Sequence, residues 1–72
     1  MVPLRAVRRA AGYDLADLAL AASLSVAQVS RAERGLRRLS PGARVRIARA
    51  LDLDLQAARA IPELAPNGGK AT

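Results

Sequence analysis

Apolar positions along this chain recur three and four residues apart, and no stretch alternates in the manner of a half-buried strand. The helical runs open alike: an apolar residue, then Asp or Ser, then the run. Such an Asp or Ser caps a helix by accepting bonds from backbone N–H groups that have no partner in the first turn. The preceding apolar residue can staple to one five positions on. In residues 25–35, SVAQVSRAERG, Val29 and Ala32 face inward, while Ala27, Gln28, Arg31 and Arg34 face out. So small a helix that devotes its exposed face to long hydrogen-bond donors needs an explanation.

The same pattern divides the rest of the chain. A first helix is predicted over residues 3–11, with Pro3 at its first position, where a missing N–H costs nothing. Leu4, Val7 and Ala11 line one face, Arg5, Arg8 and Arg9 lie largely off it, and Gly12 ends the helix. Asp14 caps a second helix, with Tyr13 and Leu18 as its staple and Leu15, Leu18, Ala19 and Ala22 inward; Asp17 adds negative charge where the helix dipole favours it. Ser25 caps the third, stapled by Leu24 and Val29, and the turn before it is short enough to force a steep crossing. Gly35 closes the third helix, and the loop LRRL follows. Ser40 and Pro41 open a fourth, with Ala43, Ile47, Ala48 and Leu51 inward. A fifth follows Asp54, carries Leu55, Ala58 and Ile61, and stops at Pro62. The domain is thus expected over residues 1–62. Residues 63–72, with two adjacent glycines and no periodicity, are expected to be a disordered tail.

Composition agrees with an all-α domain. The chain has 72 residues, 51% of them hydrophobic, and a single aromatic, Tyr13, so the core must be built from Leu, Val, Ile and Ala. Twelve basic residues, eleven of them arginine, oppose six acidic ones and leave a charge of +6. A basic excess on a small domain suggests nucleic acid or an anionic membrane surface as partner, with a merely solvated surface as the plain alternative. The chain has no cysteine and no histidine, so the usual nucleophiles, general bases and transition-metal ligands are missing and an enzyme is not expected. No apolar run approaches a membrane span, and the charges in MVPLRAVRRA oppose a signal peptide. A cytoplasmic protein without cofactors is the simplest expectation.

Residues 12–55 resemble the Cro/repressor-type helix-turn-helix family, also called xenobiotic-response-element type or lambda-repressor-like. The resemblance rests on Gly12, the Asp14 cap, Leu18-Ala19, SLS at 23–25, SRAERG at 30–35 and IARAL at 47–51. With the first helix it covers most of the chain. The departures are Ser23 where the family usually has a turn glycine, Leu15 where it often has Gln, Arg44 where a leucine is often buried, and an apolar Leu20 where a charge is common. A serine in that turn carries some strain if its φ is positive.

The resemblance implies a compact five-helix lambda-repressor-like domain, with a helix-turn-helix formed by helices 2 and 3. It also implies a third helix lying in the major groove of double-stranded DNA. By position, Val26, Ala27, Gln28 and Arg31 then meet base edges. Gln pairs bidentately with adenine and Arg with guanine, while Val26 and Ala27 touch thymine methyls or simply let the helix sit deep. Two plainer roles stay open: Ser25 and Gln28 have capping-box spacing, and Arg31 can bind phosphate. Arg34, Arg37 and Arg38 suit phosphates or an adjacent minor groove. Ser25 and the backbone N–H groups starting helices 2 and 3 suit phosphates. The family's matching Glu pairs with an Arg of helix 1, which here makes Arg8 and Glu33 a structural pair.

One short helix reads too few base pairs to mark a unique site, so a homodimer is expected. Leu53, Leu55, Ala58 and Ile61 are its contact candidates, and completing the monomer core is their alternative role. The expected function is a sequence-specific transcriptional regulator, most simply a repressor, with no sensor domain and no small-molecule ligand. The competing reading is a protein-interaction module or antitoxin-like partner-binding protein that keeps the fold. A basic amphipathic membrane peptide is opposed by the repeated caps and turns.

Overall fold

The computed structural model describes residues 2–66. Among them are five α-helices: α1 Leu4–Ala10, α2 Leu15–Ala21, α3 Val26–Glu33, α4 Pro41–Ala50 and α5 Leu55–Arg59. A 3-10 turn, Pro62–Leu64, follows, and no strand occurs among the described residues. The all-α expectation holds.

The helices start as their sequences dictate. Asp14, Ser25, Ser40 and Asp54 are extended, and each side chain accepts from the N–H three residues on, at Asp17, Gln28, Ala43 and Ala57. In α2 and α3 the bond is returned, because the Asp17 and Gln28 side chains accept from the cap's own N–H. That reciprocity satisfies two otherwise orphaned donors at each start.

The first four helices also end alike. Gly12, Ser23, Gly35 and Asp52 all have positive φ, at 83, 57, 72 and 56°. Each is followed by an apolar residue whose N–H reaches back to the last turn: Tyr13 to Arg8, Leu24 to Ala19, Leu36 to Arg31 and Leu53 to Ala48. This is the Schellman ending, which satisfies carbonyls that the helix leaves open. Ser23 therefore makes the turn between α2 and α3 in the left-handed region, at the strain expected of a residue with a Cβ.

The core contains Leu4, Leu18, Val29 and Ile47, all fully buried, with Ala19, Ala22, Ala32 and Ala43 beside them. The alanines let α2 pack against both α3 and α4. Leu39, at the end of the LRRL loop, is also buried, whereas Ala11 is exposed rather than inward.

Two expectations at the chain ends need correction. Pro3 is not the first residue of α1 but its cap, because its ψ of 151° keeps it extended. It has no side chain with which to cap, and the task falls to Glu63, whose Oε1 accepts from the Leu4 N–H at 2.9 Å. Residues 63–66, expected to start the tail, belong to the domain. Leu64 is buried, and the 3-10 turn touches α1, α4 and α5. α5 ends at Arg59, short of the expected Ile61, and Pro62 opens this turn, pre-set by its fixed φ. The remainder of the expected tail, 67–72, lies outside the described residues.

Glu63 therefore joins the two ends of the fold. Glu63→Ala leaves the α1 terminus without its acceptor and is expected to cost about 1–2 kcal/mol, in the range of a lost helix cap. Glu63→Gln keeps an acceptor and should recover most of the loss. Thermal melts of the two variants, with hydrogen exchange at the Leu4 amide, check this; equal stability of Glu63→Ala and wild type would remove the latch.

Candidate nucleic-acid interface

The turn that sets α3 against α2 is held from several directions. Its left-handed residue is Ser23, and its apolar residue, Leu24, is half-buried against the core. Arg46 reaches over from α4, and its Nε donates to the Ala22 carbonyl at 2.8 Å. That bond spans 24 residues in sequence, so no local pattern announces it.

From the other side α3 is fixed by its only acidic residue. Arg8 is buried, with 5% of its surface exposed, although helical spacing placed it off the inward face of α1. Its Nε donates to Glu33 Oε2 at 2.6 Å and its Nη2 to Glu33 Oε1 at 3.0 Å. A third donor, Nη1, takes the Tyr13 carbonyl at 2.9 Å. The structure thus brings Arg8 and Glu33 together as a planar, two-bond pair. The hydrogen bond that Arg8 donates to Glu33 raises the pKa of the guanidinium above its ordinary range, against the opposing effect of burial. With its folded value raised, the stability this shift carries is complete below the ordinary arginine range. It fades only as pH climbs through the raised value, so it brings no pH dependence near neutrality. The pair also confines the helix's one carboxylate to the protein side.

What α3 leaves to solvent is Val26, Ala27, Gln28 and Arg31, with Arg34 at its C-terminal cap, all exposed. Gln28 and Arg31 line one open cleft with Arg37, Arg38 and Ser40. Val26, Ala27 and Arg34 lie outside that cleft. Arg37 is exposed, and Arg38 is partly committed, since its Nη2 donates to the Pro66 carbonyl at 3.2 Å. Ser40, which sequence reasoning used only as a cap, enters the cleft at the start of α4 because the loop from Leu36 returns the chain beside α3.

The two helix starts of the motif differ as seats for a phosphate. At α3 the box uses the N–H groups of Ser25 and Gln28, and those of Val26 and Ala27 have no partner among the described residues. At α2 the corresponding box is made by Asp14 and Asp17. Two carboxylates there oppose an anion, so the expectation that α2 also holds phosphate is not favoured by the charges present.

The four expected dimer residues separate. Ala58 and Ile61 are buried at 8% and 3% exposure and complete the monomer core, so they offer no contact surface. Ala58 lies on α5 and Ile61 caps the 3-10 turn on which α5 packs. Leu53 is half-buried, and Leu55 is 69% exposed. Both border a groove with Val45, Ala48, Arg49 and Asp54. Leu20, on α2, is 84% exposed and stands apart from this groove.

A capped helix, a left-handed turn and a second helix with an exposed polar face, held on a core of three more helices, define a helix-turn-helix protein. The helix-turn-helix family model matches residues 4–57, and the chain belongs to that Cro/C1-type, lambda-repressor-like family. It is accordingly a DNA-binding domain. No curated protein and no solved structure gives a significant match. None of the helices among the described residues is long and apolar enough to cross a membrane.

Proposed function

We propose that this chain is a sequence-specific regulator of transcription that reads double-stranded DNA as a homodimer, with α3 in the major groove, and acts as a repressor inside the cell. The observation that carries this reading is the joint placement of Gln28, Arg31, Arg37 and Ser40 along one open cleft beside α3. A base-reading helix needs phosphate contacts beside it, since these fix register while base edges supply the sequence. Arg31 is one helical turn beyond Gln28 and bears the long planar donor that suits guanine. Arg37, Arg38 and the start of α4 lie where a backbone strand would pass, and Val26 and Ala27 are small enough to bring the helix close. The charge of +6 supplies the sequence-independent part of the attraction.

Selection of bound duplexes from a random pool tests the reading. A conserved, inverted-repeat winner supports it, and retention of all sequences alike overturns it. The same assay defines Arg31. Arg31→Ala is expected to cost about 1–3 kcal/mol on the selected site and to relax preference at one base position. A loss of equal size on every sequence would make Arg31 a phosphate contact.

The second copy is expected to meet the groove bordered by Val45, Ala48, Leu53 and Leu55. A two-fold interface must be complementary to itself. This groove has an apolar floor and carries both signs of charge, with Arg44 and Arg49 against Asp54.

A further inference from the structure

The side chain best placed to set the base preference of α3 has one of its two functions already in use. Gln28 carries a carbonyl oxygen, which accepts, and an amide nitrogen, which donates twice. Its Oε1 accepts from the Ser25 N–H at 2.8 Å, while its own backbone N–H donates to Ser25 Oγ at 3.0 Å. The Ser25 N–H is a donor, so only the oxygen of the amide can face it, and the orientation of the Gln28 amide is fixed by chemistry. The Nε2 group is left turned away from the helix terminus, exposed and without a partner among the described residues.

This changes what Gln28 can read. The usual pairing of glutamine with adenine needs both ends of the amide, the oxygen for N6–H and the nitrogen for N7. With the oxygen held by Ser25, that pairing requires opening the capping box and orphaning a backbone donor at the start of α3. A donor alone is best received where two acceptors lie side by side. Among the four bases, guanine offers that arrangement in the major groove, through O6 and N7; adenine N7 and thymine O4 offer one acceptor each.

We infer that Gln28, as long as the capping box stands, is a donor-only reader that selects guanine over adenine at the base pair it faces. The inference rests on the proposed reading of DNA by α3 and specifies the base preference of that site. It makes Ser25 a positioning residue, since its N–H holds the amide in the donating orientation.

Two substitutions separate the roles of the amide. Gln28→Glu keeps an acceptor for the Ser25 N–H, and so keeps the box, but removes the outward donor. Gln28→Lys keeps an outward donor and removes the box. Base preferences of wild type and both variants are measured by selection from a random duplex pool. Hydrogen exchange at the Ser25 amide reports the box in each free protein and in the complexes. Wild type is expected to prefer guanine at one position by roughly fivefold or more. Gln28→Lys should keep that preference, and Gln28→Glu should lose it while the Ser25 amide stays protected. The Ser25 amide should also stay protected when wild type binds DNA.

A wild-type preference for adenine that Gln28→Lys abolishes, with Ser25 deprotected in the complex, overturns the inference and leaves sequence-specific binding standing. Retention of the guanine preference in Gln28→Glu, whatever the added carboxylate costs in affinity on all sequences alike, shows that the outward donor does not read the base and also overturns it. Binding of wild type without any sequence preference overturns both the inference and the reading on which it rests.

Discussion

Glu33→Ala is expected to lower the melting temperature by at least about 10 °C, well beyond the effect of Glu63→Ala. The reason is what the substitution leaves behind. The side chains of Arg8 and Glu33 are 7% and 6% exposed, so each charge has been taken out of water and each depends on the other. Removing one partner from a buried pair costs about 3–5 kcal/mol, because the remaining charge is uncompensated. A domain of this size has total stability of only about 5–10 kcal/mol, so the loss is a large fraction of it.

Arg8→Ala should be worse than Glu33→Ala. In Glu33→Ala the guanidinium keeps its bond to the Tyr13 carbonyl, and its long stem can carry the charge toward solvent. In Arg8→Ala the shorter carboxylate has no such path, and Tyr13 loses its donor as well. Replacing both by methionine removes both desolvation penalties and should restore much of the stability, because a buried pair contributes little net relative to apolar packing. Denaturant melts of the two alanine variants and their double mutant give the coupling directly. Strict additivity of the two substitutions would show that the pair does not act as a unit.

The starts of the helices were legible in the sequence because a cap is a local device. Asp14, Ser25, Ser40 and Asp54 act within three residues of themselves, so the chain states them openly. The glycine endings were equally plain. Asp52 was not, since it ends α4 in the left-handed region without a glycine, relying on the tolerance of Asp for that conformation. What escaped altogether acts over distance. Glu63 caps a helix 59 residues away, Arg46 ties α4 to the turn before α3, and Leu64 finds the core through a turn that looked like the start of a tail. Arg8 shows the middle case: its spacing argued for a surface position, and the resemblance to a known family supplied the partner that takes it inside. For the candidate site, sequence placed Gln28 and Arg31 on the open face of α3 and left Gln28 two roles, reading a base or closing a capping box with Ser25. The fold shows the box formed, which fixes the orientation of the amide.

Leu55→Asp is expected to leave the monomer folded and to remove cooperative binding to DNA. Leu55 is the first residue of α5, and an acidic residue there meets the favourable end of the helix dipole. It is also 69% exposed, so its loss withdraws little from the core, and monomer stability should stay within about 0.5 kcal/mol of wild type. If the groove beside it receives a second copy, the same substitution places a charge in the middle of an apolar contact on both subunits, because a two-fold interface repeats every change. Affinity for an inverted repeat should then fall by about tenfold or more, one decade for each 1.4 kcal/mol of lost contact. Affinity for an isolated half-site should stay unchanged. Ala58 and Ile61, first expected at this interface, belong to the core, so substituting them destabilises the monomer and cannot serve as the test. Spacing offers a second check. Two copies joined by this groove must set their α3 helices about 34 Å apart, one turn of DNA, with half-site centres about 10 base pairs apart. Inserting about five base pairs between the half-sites puts them on opposite faces of the duplex and should abolish cooperativity in wild type. A single protected half-site, with a monomer mass on the DNA and no response to spacing, would refute the dimer and leave α3 reading alone.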